Sequence, residues 1–168
     1  MWASMSVLST AVAADSESRV TTGALPVRLA AETPQSARQV LLSRLNALSA
    51  GLEWGIGRLD TGESLHATGT ARFDQLNLER ARLRGTLRSE SATPTPALPG
   101  YQMPATPSTP ASTAQLWGSL ELGVLAGWGR VVAATGGADR QAAMTGMNDS
   151  ARYVQRYGAT LPAWPGWV

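Results

Sequence analysis

The sequence of 168 residues contains no cysteine, no lysine and one histidine. Without cysteine, the chain cannot form disulfides, use a thiolate nucleophile or build the usual zinc sites. Without lysine, all fourteen cationic side chains are arginine, and the calculated isoelectric point of about 9.7 accompanies a formal net charge of only +2. Because arginine is the only strong cation available to this chain, its presence alone says little about a ligand.

Charge and long apolar runs are also scarce. Charged residues make up 15% of the chain and apolar residues 43%, a composition typical of a protein with much buried surface. The most apolar window, residues 116–134, still contains Glu121, Arg130 and four glycines, so no membrane span is predicted. The first nineteen residues are mildly apolar, but no basic residue precedes the small residues at 11–13 that resemble a signal-peptidase site. We therefore predict an N-terminal arm over 1–19 and no signal peptide.

Proline is concentrated in one stretch: six of the ten prolines fall within residues 89–114, among Ser, Thr and Ala. Each proline removes a backbone hydrogen-bond donor and pushes the preceding residue out of the α region. We therefore predict a Pro/Ser/Thr-rich extended linker here. It divides the chain into a module before it, residues 20–88, and a helical segment after it, residues 115–168.

The module before the linker begins with a short predicted strand at 27–30, and the clearest helix of the chain follows. Thr33 is a good N-cap, Pro34 occupies the first helical position and Gly51 is expected to end the helix. Leucines at spacings of three and four give this helix one apolar face: Leu41, Leu45, Leu48 and Leu52. Such a face requires a partner layer.

The expected partner is a β-hairpin with strands at 53–59 and 63–73, joined by Asp60-Thr61-Gly62. Within the second strand, apolar or small residues alternate with polar ones, which is the period of a strand. Residues 74–88 fit either a helix, which we prefer, or a third strand. The predicted fold class is therefore α+β, a small antiparallel hairpin or sheet with packed helices.

After the linker, two helices are predicted, one over 114–134 capped by Thr113 and one over 138–157, and together they form a helical hairpin. The inner face of the second is expected to carry Met144, Met147, Ala151 and Val154. The chain then ends in an apolar tail interrupted by prolines. Its large side chains favour docking on a partner protein, and the candidate docking residues are Trp164, Trp167 and Val168.

Two features invite a catalytic interpretation, and neither supports one. Asp60-Thr61-Gly62 matches the tripeptide of aspartic proteases, but Arg58 and Glu63 replace the apolar and small residues expected beside it, so we interpret it as a turn. His66 lies on the polar face of the predicted strand with no nucleophile motif nearby. The sequence therefore predicts no enzyme activity, no catalytic residue, no cofactor and no metal site.

The densest positive region contains five arginines, which are candidate phosphate contacts: Arg72, Arg80, Arg82, Arg84 and Arg88. Phe73 is the only aromatic residue near them, so few side chains are available to stack on nucleic-acid bases. A solvated or partner-facing arginine surface is the interpretation we prefer.

The combined features predict a non-enzymatic structural or assembly subunit of a larger complex, with other subunits as partners in a homo- or hetero-oligomer. A virion or similar symmetric particle is our first expectation, because extended arms are normally ordered by neighbouring subunits. The outline of helix, hairpin strand from Leu65 to Ala71 and helix resembles small α/β modules of pilus-assembly and secretion-platform proteins. An envelope, pilus or secretion-system module is therefore one alternative, and an arginine-rich nucleic-acid-binding module is another.

Overall fold

The computed structural model describes residues 32–162, and within that range the chain forms four α-helices and no strand. Helix α1 spans Pro34–Ile56, α2 spans Ser64–Ser89, α3 spans Pro110–Ala134 and α4 spans Gly137–Arg156. The predicted α+β class is therefore wrong, because this part of the chain is entirely helical. The N-terminal arm over 1–19 and the strand expected at 27–30 lie outside the described residues.

The predicted hairpin is replaced by the end of α1, a turn over residues 57–63 and the start of α2. Asp60-Thr61-Gly62 does lie in a turn, but the turn joins two helices. The alternating pattern suggested a strand, but small and apolar residues also recur here at helical spacings of four and three: Leu65, Gly69, Phe73 and Leu76. These four residues are buried or packed against the core, so the helical period is the one that burial selects.

Helix α1 begins as predicted, since the Thr33 side chain accepts a hydrogen bond of 3.1 Å from the Ser36 backbone amide and Pro34 occupies the first turn. It does not end at Gly51 but continues for more than a turn beyond it. A Cβ at Gly51 would lie 2.3 Å from Leu120 Cδ1 of α3. This glycine therefore permits close helix packing and does not end the helix.

Trp117 of α3 is completely buried, between glycines of α1 and α2. A Cβ would lie 2.7 Å from its indole ring at Gly55 and 2.4 Å from it at Gly69. Its Nε1 donates a hydrogen bond of 2.8 Å to the Gly51 carbonyl, and its ring meets Tyr157 edge-on at 5.4 Å between centroids. The missing glycine side chains thus make room for the largest side chain of the core.

Helix α3 starts earlier than predicted, because Thr109 and Ser112 form a capping box in which each side chain binds the backbone amide of the other. Thr113, the predicted cap, is buried inside the helix. Further along, Gly127 lets α1 approach closely, since Leu41 Cδ1 lies 3.1 Å from where a Cβ would be.

Helix α4 occupies nearly the predicted residues, but a different face is buried. Met144, expected inside, is 42% exposed. The buried residues of the helix are Ala143, Ser150, Tyr153 and Val154. Met147 and Ala151 are half-buried, so the inner face is rotated from the predicted one.

Helix α1 packs against α2 and α3, and α3 packs against α4. The core combines residues from both sides of the proline-rich segment, for example Leu45 of α1 and Val124 of α3. Residues 90–109, between α2 and α3, form neither helix nor strand. This segment runs along α1, where the Gln39 side chain binds the backbone of Thr93 and Thr95. The sequences before and after the prolines therefore build one compact unit.

Candidate functional site

The most unusual side chains of the core are a completely buried arginine and glutamate. Arg72 of α2 and Glu121 of α3 are both 0% exposed, and they are joined by hydrogen bonds from Arg72 Nε and Nη2 to the carboxylate. Arg72 Nη1 also donates to Glu79 Oε1 at 2.8 Å. The guanidinium carbon lies 4.8 Å from the centre of the Tyr153 ring of α4. We call these four residues the core ion cluster, and they connect α2, α3 and α4.

The electrostatics of the cluster follow from burial. Burial lowers the pKa of Arg72, but Glu121 and Glu79 more than offset it, so the pKa of Arg72 lies above its usual value. Burial raises the pKa of Glu121, and the Arg72 guanidinium opposes that rise. Because a guanidinium keeps its proton in proteins, the cluster contains a permanent buried positive charge that these carboxylates neutralise.

Arg72 and Glu121 are sealed from solvent, so no ligand in solution touches them in this arrangement, whereas the Glu79 side chain is 15% exposed. The contacts of the cluster instead hold helices together, and Tyr153 adds a hydrogen bond of 3.1 Å from its hydroxyl to Gln75 Oε1 of α2. The geometry therefore indicates a structural role for Arg72 and Glu121.

A groove of about 480 Å³ opens beside the cluster, between α2 and α4. We call it the α2–α4 groove. Its floor is Trp128 of α3, its α2 wall carries Leu78 and Arg82, and its α4 wall carries Asp139 and Asp149. Leu78 is 62% exposed, which makes it the most exposed large apolar side chain of the described residues.

Both ends of the α2–α4 groove are closed by polar contacts. At one end the Tyr153 hydroxyl binds Gln75, and at the other Arg38 Nη2 of α1 pairs with Asp139 Oδ2 at 2.8 Å. Trp128 fixes the floor, because its indole ring lies 2.6 Å from where a Cβ at Gly146 would be. The groove is therefore a defined depression between two helices and not a general gap.

A second groove, of about 520 Å³, lies along α2 beside the proline-rich segment. We call it the arginine groove. Arg84 and Arg88 form one wall and residues 92–96 form the other. This region was part of the predicted positive patch.

The structure divides that predicted patch. Arg72 lies in the core, which corrects its assignment as a candidate phosphate contact, since a completely buried side chain cannot meet a phosphate at the surface. Arg82 lines the α2–α4 groove. Arg84 and Arg88 line the arginine groove, and Arg80 lies next to Arg84, since both bind Asn46 Oδ1.

Comparison with known proteins relates this chain to a family and to a solved structure. Residues 54–168 match the model of DUF4439, a domain of unknown function. The chain belongs to the DUF4439 family. A crystal structure of a conserved hypothetical protein from Mycobacterium tuberculosis is similar, with a TM-score of 0.70 and 24% sequence identity over 74% of this chain and 94% of that chain. The likeness shows a shared fold. No curated protein matches the chain.

The DUF4439 region contains α2, α3 and α4 but only the last residues of α1. The whole core ion cluster and both walls of the α2–α4 groove therefore lie within the family domain. Gln39, which fixes the outer wall of the arginine groove, lies before it. The arginine groove thus combines the DUF4439 domain with the helix that precedes it.

Neither Asp60 nor His66 belongs to the core ion cluster or lines either groove. Asp60 is exposed in the turn before α2, and His66 is half-buried on α2, where a polar strand face was predicted. Trp164, Trp167 and Val168, the predicted docking residues, lie outside the described residues.

Sequence reasoning missed Glu121, Tyr153 and Trp128 as site residues. One signal for Glu121 was available, since it is the only charged residue between 116 and 129. A lone carboxylate within an apolar helix predicts a buried cationic partner. The partner itself, Arg72, had no sequence signal that distinguished it from the arginines after it.

The described part of the chain holds no group of three or more His, Asp or Glu side chains arranged to bind a metal ion. None of the helices within 32–162 combines the length and apolar character needed to cross a membrane, which agrees with the sequence prediction for that range.

Proposed function

We propose that the protein is a non-enzymatic assembly subunit that pairs with a second copy of itself through the α2–α4 groove. The observation that carries the proposal is Leu78, an exposed leucine standing at the rim of a groove with a tryptophan floor. A two-fold interface must be self-complementary, and a protruding apolar side chain next to a depression on the same face supplies one form of that complementarity. Each Leu78 would enter the groove of the other copy.

The charges along the groove support this partner. The α2 wall carries Arg82 and Glu79, and the Glu79 carboxylate is already paired with Arg72. The α4 wall carries Asp139 and Asp149, which also pair within the chain with Arg38 and Arg152. A two-fold axis running along the groove brings the α2 wall of one copy to the α4 wall of the other. Arg82 then faces a carboxylate in both halves of the interface, which favours this pairing over like-charge arrangements.

The non-enzymatic part of the proposal is supported by the positions of the ionisable groups. Arg72 and Glu121 are completely buried and bound to each other, so their perturbed charges are not presented to a substrate. Asp60 lies in a turn for which Asp is a favoured residue. The identity of the assembly, as a virion or as an envelope, pilus or secretion structure, stays a prediction from the sequence.

The test is the oligomeric state of the full chain, measured by sedimentation velocity over a range of concentrations. We expect a monomer–dimer equilibrium in the wild type. Leu78→Gln removes two partly exposed leucines from each dimer and should raise the dissociation constant by about 30-fold or more. Met144→Gln and Leu98→Gln are matched controls, since these residues are also exposed but do not line the groove, and they should leave the equilibrium unchanged.

Charge reversal tests the proposed pairing directly. Arg82→Asp and Asp149→Arg should each weaken the dimer, and the double variant should restore it because unlike charges then face each other again. A wild-type chain that stays monomeric at all concentrations, or a Leu78→Gln variant that behaves like Leu98→Gln, rejects the proposal.

A further inference from the structure

We infer that the arginine groove is a binding site for a small phosphate-bearing anion carrying more than one negative charge, such as pyrophosphate or an organic diphosphate. The groove lies between Arg84 and Arg88 of α2 and residues 92–96. It is on the flank of α2 away from the α2–α4 groove, so the inference is independent of the proposed self-association.

The lining of the arginine groove has no counter-charge. The residues that line the groove include two arginines and no Asp or Glu. Among residues 32–162, none of the ion pairs involves Arg80, Arg84 or Arg88. Arg84 and Arg88 therefore face a concave surface that contributes no carboxylate to neutralise them, and Arg80 lies one turn before Arg84 on the same helix.

Arg80 and Arg84 share one neutral hydrogen-bond acceptor. Arg80 Nε and Arg84 Nη2 both donate to the same neutral oxygen, Asn46 Oδ1, at 3.0 Å and 3.3 Å. Arg80 also donates to Ser49 Oγ at 2.8 Å. Burial and the neighbouring Arg84 charge lower the pKa of Arg80. Two like charges that converge on one amide repel each other, and an anion that binds beside them offsets this repulsion.

The opposite wall of the arginine groove is held in place before any ligand binds. The Gln39 side chain donates to the Thr93 carbonyl at 2.8 Å and accepts from the Thr95 backbone amide at 2.8 Å and from its hydroxyl at 2.7 Å. Pro94 and Pro96 restrict the backbone on either side of Thr95. Little conformational entropy is then lost when a ligand enters.

The dimensions favour a small ligand. The volume of about 520 Å³ lies within the range of small-molecule sites. Arg84 and Arg88 are one helical turn apart, about 6 Å along the axis. Two linked phosphates can therefore contact both guanidinium groups at once, and guanidinium geometry suits phosphate oxygens. The lining contains no aromatic side chain on which a nucleic-acid base would stack.

The test is calorimetric titration of the full chain with inorganic pyrophosphate at low ionic strength, compared with inorganic phosphate and with a single-stranded oligonucleotide. We expect pyrophosphate to bind more tightly than phosphate. Arg84→Gln with Arg88→Gln should weaken pyrophosphate binding by about tenfold or more. The matched control, Arg58→Gln with Arg152→Gln, removes the same charge outside both grooves and should change binding by less than about twofold.

A measurement on the wild type keeps the test independent of any folding defect. Pyrophosphate should shift the backbone amide resonances of Ala92, Thr93 and Thr95 in a nitrogen–proton correlation spectrum. Absence of these shifts, absence of heat, or equal weakening in both double variants overturns the inference. Tighter binding of the oligonucleotide than of pyrophosphate also overturns it, in favour of a nucleic-acid site.

Discussion

On helix α2, the arginine of the inner face and the arginines of the outer faces have the same side chain and opposite surroundings. Arg72 is 0% exposed and paired with two carboxylates, whereas Arg88 is exposed and lines an open groove. In a chain without lysine, arginine must serve both as the buried cation and as the surface cation. The role of each arginine is therefore set by its burial and its partners, because the side chain itself is the same.

The glycines of α2 repeat this contrast. Gly69 on the inner face lies against Trp117, where a Cβ would be 2.4 Å from the indole ring. Gly85 on the outer face has no atom within 4 Å of its Cβ position. One glycine is therefore required by packing, and the other only weakens the helix.

The largest expected effect comes from breaking the core ion cluster. Glu121→Ala leaves Arg72 buried with Glu79 as its remaining partner, and should lower the free energy of unfolding by about 3 to 5 kcal/mol. Arg88→Gln, on the outer face, should change it by less than about 0.5 kcal/mol. Urea unfolding followed by circular dichroism measures both.

A double variant separates charge from packing in the same experiment. Arg72→Met with Glu121→Leu removes both charges and should recover most of the stability that Glu121→Ala loses. Equal losses in Glu121→Ala and Arg88→Gln would show that the two faces of α2 do not differ in the way proposed.

Substitution of the two glycines by alanine should change the free energy of unfolding in opposite directions, by less than Glu121→Ala changes it. Gly69→Ala forces a methyl group against Trp117, whose ring is held by its hydrogen bond to Gly51, and should destabilise the fold by about 1 to 3 kcal/mol. Gly85→Ala meets no atom and should stabilise it by about 0.5 to 1 kcal/mol. Thermal and urea unfolding of the two single variants check the signs, and a stabilising Gly69→Ala would contradict the packing of Trp117.

The free energy of unfolding should also depend on alkaline pH, and this dependence should distinguish the buried Tyr157 from Tyr101, which lies outside the helices. Burial and the nearby Glu121 raise the pKa of Tyr157 above its usual value. An unfolded tyrosine ionises near pH 10, so the stability that neutral Tyr157 contributes is complete below pH 10 and is lost as the pH rises further. At pH 10.5 the loss should be about 1 kcal/mol.

Tyr157→Phe should remove that loss, and Tyr101→Phe, outside the helices, should retain it. Urea unfolding at pH 8 and pH 10.5 measures the difference for each variant. The absence of lysine simplifies the experiment, because tyrosine is then the only side chain that titrates in this interval. A wild-type protein with no loss at pH 10.5 would show that Tyr157 ionises as freely as an unfolded tyrosine.

Local chemistry in the sequence was sufficient for several features of the fold. Thr33 and Pro34 set the start of α1, and prolines kept residues 90–109 out of any helix. The preferred helix over 74–88 is confirmed as part of α2. These features were predictable because caps and prolines act through backbone geometry within a few residues, and no distant partner is needed.

Only the tertiary structure decided the rest. The small and apolar side chains of residues 65–73 satisfy both a strand period and a helix period, and burial against α1 and Trp117 selected the helix. Arg72 meets Glu121 across 49 residues of sequence, so nothing local distinguished it from Arg84 or Arg88. The two grooves likewise arise where α2 passes α4 and the proline-rich segment. The sequence determined where the backbone could be helical, and long-range packing determined which side chains became core, wall or surface.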